Sequence, residues 1–230
     1  MKKAICLLSG GLDSATCLFV ARAEKYETVA LSIEYGQRHH RELTAARVLT
    51  KELRVRHYFA ALSMPWGGSA LLDGHIALPQ NREEEKIPAE IPATYVPGRN
   101  SIFLSMAMSC AEAQKAEAIF FGANAIDYSG YPDCRPVYLE AFAGAMLRGT
   151  KAGTEGERVE IKTPLLRLSK KDIILLGLKL KVPYEKTWSC YKGESKPCGV
   201  CDACLLRAKG FHEAGVPDPL FAAVPNSFSL

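Results

Sequence analysis

Four cysteines near the carboxyl end, Cys190, Cys198, Cys201 and Cys204, are spaced C-x7-C-x2-C-x2-C, with Pro197 and Gly199 turning the chain between them. Four converging thiolates suit a tetrahedral Zn²⁺, and with every position taken by sulfur none stays open for water or substrate, so a structural metal is expected. A [4Fe–4S] cluster is the chemical rival for such close spacing. At the other end, Ser9-Gly10-Gly11-Leu12-Asp13-Ser14 ends a short apolar run and opens a helical pattern. Backbone N–H groups at such a turn point outward unpaired and attract phosphate. The two glycines let an anion approach without a Cβ in the way, Ser9 and Ser14 offer hydroxyl donors, and Asp13 is placed to hold a Mg²⁺ that bridges phosphates. The competing reading is a tight turn with a serine cap. The hexapeptide lacks the Gly-Lys-Ser/Thr end of a Walker loop and is not G-x-G-x-x-G, so neither terminal-phosphate hydrolysis nor dinucleotide binding is its natural chemistry.

The elements that must position these residues alternate. Apolar runs at 4–8, 28–33, 56–60, 118–121 and 159–162 read as strands, and helical periodicity runs through 13–24, 41–53, 100–115 and 137–148. A further helix begins at Ser169, its hydroxyl as N-cap and Asp172 at the third helical position, and a last one covers 205–214 behind the cysteines. Residues 63–97, which include Arg82-Glu83-Glu84-Glu85-Lys86, dissolve into Gly, Pro and charge and read as a surface excursion serving a site. Strand-helix alternation implies a parallel sheet covered on both faces, with ligands beyond the carboxyl ends of the strands. The remaining thiols, Cys6, Cys17, Cys110 and Cys134, stand alone, and apolar packing is their default role.

The hexapeptide resembles the S-G-G-x-D-S signature of the PP-loop ATP pyrophosphatase superfamily, in which the loop holds the leaving pyrophosphate while a substrate oxygen attacks the α-phosphorus. The chain also carries Tyr35-Gly36-Gln37-Arg38-His39, Val96-Pro97-Gly98-Arg99-Asn100, Ser129-Gly130-Tyr131-Pro132-Asp133-Cys134-Arg135 and Thr163-Pro164-Leu165. With the cysteine spacing, these segments resemble the 7-cyano-7-deazaguanine synthase family from end to end.

That resemblance implies an α/β fold: a doubly wound, mostly parallel five-stranded sheet of the adenine nucleotide alpha-hydrolase type. Residues 1–185 would form the PP-loop nucleotide-binding domain and 186–230 a small helical zinc-binding segment. It implies an ATP-dependent ligase of queuosine biosynthesis that turns 7-carboxy-7-deazaguanine and ammonia into the nitrile, through an adenylated carboxylate and an amide. Two ATP would be cleaved to AMP and diphosphate, with Mg²⁺ at the nucleotide, one structural Zn²⁺ per chain, and a homodimer as the assembly. The ATP site would be Leu8, Ser9, Gly10, Gly11, Leu12, Asp13, Ser14, Ala15, Thr16, Cys17 and Leu18, with Arg99, whose guanidinium binds oxyanions bidentately. Asp13, Ser14 and Lys170 would be catalytic, Lys170 by reaching a phosphate, and Asn100 would cap the helix that follows it. Gln37, Arg38, Asp127, Tyr131, Asp133 and Arg135 would line the deazaguanine pocket; His39 would approach the ligand with Gln37 and Arg38 from the second strand or else, like His40, be a surface residue beginning a helix. The rivals are a PP-loop tRNA thiolase, another ammonia-dependent ligase, or a nucleic-acid-binding zinc module on an inert scaffold.

Composition bounds these readings. A chain of 230 residues, 48% hydrophobic, accommodates one large α/β domain with a small attachment. Lys+Arg 29 against Asp+Glu 25 leaves +4, short of the basic stripe that binding a nucleic-acid backbone requires, so no nucleic-acid partner is expected. The first apolar run ends at Ser9, too early for an export signal, and the stretch 102–113 is broken by Ser105, Ser109 and Glu112, short of the roughly 20 apolar residues of a membrane helix. A cytoplasmic protein without a membrane partner is expected, and its eight cysteines then argue against disulfides.

Overall fold

The computed structural model describes residues 1–82, 91–126 and 131–222. Strands β1 (Lys3–Leu7), β2 (Glu27–Glu34), β3 (Arg56–Ala61), β4 (Ala118–Phe120) and β5 (Glu160–Lys162) form one sheet in the order β3-β2-β1-β4-β5. Every pairing is parallel. Parallel sheets carry helices on both faces, which is why the central strands read as unbroken apolar runs: Ala4, Ile5 and Cys6 of β1 and Ala118, Ile119 and Phe120 of β4 are all buried.

The period-2 alternation of β1 sorts its side chains. Ala4, Cys6 and Leu8 face helices α1 (Leu12–Ala23), α2 (Arg41–Leu53), α6 (Lys170–Lys179) and α7 (Asp202–Glu213) through residues such as Leu18, Leu49, Ile173 and Phe211. Ile5 and Leu7 face α3 (Arg99–Gln114) and α4 (Pro136–Gly149) through Leu104, Met108 and Leu139. Two short helices, α5 (Lys151–Thr154) and α8 (Pro219–Ala222), were not evident in the sequence pattern. No helix among the described residues is long and apolar enough to cross a membrane.

Most predicted boundaries lie within a residue or so of the observed ones, with two corrections. Asn100 does not cap α3: Gly98, at φ 65°, is the N-cap, the helix starts at Arg99, and Asn100 lies in its first turn. Helix α7 starts at Asp202 rather than Leu205, so Cys201 is its N-cap and Cys204 sits on the helix. Ser169 caps α6 as expected, its Oγ accepting from the Asp172 N–H at 3.2 Å.

Candidate active site

Strand order reverses between β1 and β4, and at such a switch point the carboxyl ends of the strands open a crevice. The phosphate loop follows β1 there and Gly122 follows β4. The two turns are pressed together: a methyl group on Gly122 would lie 3.2 Å from the Asp13 carbonyl. Ser14 knits the loop, its Oγ donating to the Gly11 carbonyl at 3.1 Å and accepting from the Gly10 N–H at 3.2 Å, while Ser9 Oγ accepts from the Gly11 N–H. Gly10, at φ +94°, is required on steric grounds, since a Cβ there would fall 2.0 Å from the Glu42 carbonyl oxygen at the start of α2. Lys170, 7% exposed on α6, gives its Nζ to both carboxylate oxygens of Asp13 at 2.8 Å. The two expected catalytic charges therefore meet, one from each end of the α/β sequence.

A single cavity extends from this loop, and Leu8, Ser9, Gly11, Leu12, Asp13 and Ser14 line it together with Lys170 and Arg99. Gly10, Ala15, Thr16, Cys17 and Leu18 do not; the last four are buried in the core below, and Thr16 Oγ1 bonds to Tyr184 Oη at 2.9 Å. Arg99 is half-buried, its guanidinium over Tyr35 and Phe103 with Nη1 3.4 Å from the Tyr35 hydroxyl.

Of the residues expected around the deazaguanine, some line this cavity and others do not. Gln37, Arg38 and Tyr131 line the cavity; Gln37 Oε1 accepts from the Tyr35 N–H at 2.8 Å, and Tyr131 Oη lies 3.0 Å from Thr94 Oγ1. Asp133 and Arg135 do not line it. The Asp133 carboxylate is buried and accepts from the Asn100 N–H and Nδ2, each at 3.1 Å, so a distant carboxylate satisfies the first turn of α3 where a local cap was expected. Arg135 is exposed, and its Nε donates to the Pro132 carbonyl at 3.2 Å. Asp127 lies outside the described residues.

Several lining residues gave no sequence signal. Glu42, the second residue of α2, reads as a solvated helix position yet faces the cavity, and burial pushes its carboxyl up to about 7, against the pull of Arg99 and with a push from Cys190. Asn124 after β4 donates to the Leu165 and Leu168 carbonyls, tying the β4 turn to the Thr163-Pro164-Leu165 segment. His39, for which approach to the ligand and a surface place were both open, lines the cavity, and burial lowers its proton affinity. His40 is an exposed N-cap beside Glu34. Cys134 faces in with its thiol pushed up to about 12 by burial and then by Asp133, so it stays protonated and packs rather than attacks.

The far wall comes from the segment after residue 186, through Ser189, Tyr191 and Arg207. All four sulfurs of Cys190, Cys198, Cys201 and Cys204 lie within 4.8 Å of one another. Tetrahedral bonds of about 2.3 Å set sulfurs roughly 3.8 Å apart, and Cys198 Sγ to Cys204 Sγ is 4.0 Å, so the set fits a metal such as zinc. Cys190 Sγ accepts from its cysteine neighbours and from the Cys198 and Lys192 N–H groups, which hold its thiol well below the usual range and ready it as a thiolate ligand. Arg207 anchors the segment by clamping Asp218 with Nε and Nη2 at 2.6 and 2.9 Å and by donating to Thr187 and the Tyr184 carbonyl.

The family described as queuosine biosynthesis protein QueC matches residues 3–215 of the chain. Relatives carrying the name 7-cyano-7-deazaguanine synthase include one from Trichodesmium erythraeum, 50% identical over 220 residues that span 95% of this chain and 99% of that protein. Another, from Thermosynechococcus vestitus, is 53% identical and spans 97% of both chains. An archaeal one, from Thermoplasma acidophilum, is 53% identical over 95% of this chain and 91% of its own.

Proposed function

The chain belongs to the queuosine biosynthesis protein QueC family, and from that membership we propose that it is an ATP-dependent ligase converting 7-carboxy-7-deazaguanine and ammonia into 7-cyano-7-deazaguanine. The observation that carries this reading is the meeting of the Ser9–Ser14 loop, the Asp13–Lys170 pair and Arg99 in one cavity at the switch point of the sheet. The loop amides and the Ser9 and Ser14 hydroxyls grip the two outer phosphates of ATP and leave the innermost phosphorus open to a carboxylate oxygen. Attack forms the acyl-adenylate, and pyrophosphate departs with the electron pair of the broken P–O bond. Catalysis of this kind is mostly positioning and charge neutralisation. Ammonia then displaces AMP to leave the amide, whose oxygen is activated by a second ATP and expelled to leave the nitrile.

Asp13, partly exposed to the cavity, is the protein ligand we assign to the Mg²⁺ that accompanies the nucleotide; one carboxylate plus phosphates suits that ion, which supplies charge neutralisation when bound. Lys170 holds that carboxylate in place and adds positive charge beside the leaving group. Tyr131, Gln37 and Arg38 are assigned to the deazaguanine. We take the metal of the cysteine set to be zinc, and the working form to be a cytoplasmic homodimer. Metal analysis should find about one zinc per chain, and an iron–sulfur chromophore would contradict it. Incubation with ATP, ammonia and 7-carboxy-7-deazaguanine should yield the nitrile with AMP and pyrophosphate. Release of ADP and phosphate, or no turnover by folded, metal-loaded protein, refutes this function.

A further inference from the structure

The amide-forming step needs a base, because a nitrogen that bonds to the acyl carbon becomes cationic and must lose a proton before AMP is expelled productively. Among the described residues that line the cavity, two carboxylates and one imidazole could take up that proton: Asp13, Glu42 and His39. Asp13 has both oxygens occupied by Lys170. His39 is a weakened base, its proton affinity lowered by burial. Glu42 differs from Asp13 in being unpartnered, and from His39, whose buried Nδ1 likewise has no hydrogen-bond partner among the described residues, in its place beside the phosphate loop. Its carboxylate has no hydrogen-bond or ion-pair partner among the described residues, so its lone pairs are open to the cavity. A methyl group on Gly11 would come within 3.8 Å of Glu42 Oε1 and 3.3 Å of Ser9 Oγ, so the carboxylate overlooks the phosphate loop across the space Gly11 leaves empty. Its backbone is fixed by the contact between Gly10 and the start of α2.

Resting on the function proposed above, we infer that Glu42 is the general base that takes the proton from ammonia as its nitrogen bonds to the adenylated carbon. In that step the C–N bond forms, the C–O bond to AMP breaks with its electron pair leaving on AMP, and the nitrogen's proton passes to Glu42. A carboxyl whose proton affinity burial has raised toward neutrality is matched to this work, since a base is most effective near the operating pH.

The partial reactions separate the possibilities. Exchange of labelled pyrophosphate into ATP, dependent on 7-carboxy-7-deazaguanine, reports adenylation without ammonia. Hydroxylamine, a less basic nucleophile, gives an intermediate that sheds its proton to water and so needs the base less. Glu42→Gln should keep exchange and hydroxamate formation near the parent rate while ammonia-dependent turnover falls about 10²–10⁴-fold, and Glu42→Asp should recover part of it. Unchanged ammonia turnover in Glu42→Gln overturns the assignment, as does loss of exchange in a variant whose melting temperature is intact, which would place Glu42 in nucleotide binding. Parent protein that shows no exchange at all defeats the underlying function instead.

Discussion

The phosphate loop and the cysteine segment touch, through the Trp188 N–H that donates to the Gly10 carbonyl at 3.0 Å, yet they are held in opposite ways. The loop is fixed by the sheet: β1 delivers it, Gly122 and the start of α2 crowd its backbone, and Ser14 closes its turns. Between Trp188 and Cys201 the chain has no helix or strand of its own, and among the described residues its one ladder contact is an isolated bridge from Cys201 to Gln80. Packing and hydrogen bonds preform the loop, whereas the neighbouring wall of the same cavity is gathered around four sulfurs close enough to hold a metal, with Arg207 anchoring the helix behind them.

The largest effect should therefore come from removing the metal. Structural zinc in small domains contributes on the order of 10 kcal/mol, so stripping it should melt the 188–204 segment and expose it to proteases while the sheet keeps its circular dichroism. Protease resistance unchanged after complete metal removal would break the contrast. Next is Asp13→Asn, which attacks the preformed side without unfolding it: turnover should drop about 10²–10³-fold, and the partner left behind on Lys170 should lower stability by about 1–3 kcal/mol. Rates close to the parent's would remove the metal-holding role assigned to Asp13.

Two glycines sharpen the account of how the loop is held. Gly10 and Gly36 both have positive φ, +94° and +82°, but a Cβ on Gly10 meets backbone atoms at 2.0 and 2.7 Å while one on Gly36 meets nothing within 4 Å. Gly36→Ala should cost about 1–2 kcal/mol of backbone strain. Gly10→Ala adds a steric term, for about 2–5 kcal/mol in all. Equal losses in denaturant melts would mean that α2 yields to the loop, and the preformed character would be lost.

The same contrast explains what could be read in the chain. The phosphate loop and the cysteines were legible because each is contiguous, with its chemistry and its geometry in one stretch of residues. The parallel sheet was legible from apolar runs such as residues 4–8. What joins them was hidden. Glu42 looks like a solvated helix residue, since only the packing of α2 against Gly10 turns it inward. Asp133 belongs to a motif that resemblance assigned to substrate, but its carboxylate satisfies the first turn of α3, a contact between residues far apart in the chain. The one available clue was position, because Glu42 and Asn124 both follow strands at their carboxyl ends.

The smallest expected effect tests the support beneath the loop. His57 on β3 shares hydrogen bonds with Ser32 at 2.7 Å and Thr50 at 2.8 Å, and Ser32 donates to the carbonyl of Leu8, the residue before the phosphate loop. Burial, and then Arg47, lowers the His57 pKa to about 4. Its folded-state value lies below the ordinary value of roughly 6.5, so between those limits the unfolded chain binds a proton that the folded chain refuses. Stability from this group is complete above about pH 6.5 and declines as the pH falls toward 4, by about 1–2 kcal/mol at pH 5. Glu42, raised to about 7, acts in the opposite direction, because a buried acid that prefers its proton gains stability as the pH falls. The net slope of the parent protein therefore mixes the two, and the difference between parent and His57→Gln isolates the histidine. Denaturant melts at pH 7 and pH 5 should show the variant losing less stability on acidification than the parent. An equal loss would mean that the imidazole takes up its proton in the folded chain as readily as in the unfolded one, and that the floor under the phosphate loop is wetter than the packing of β2, β3 and α2 implies.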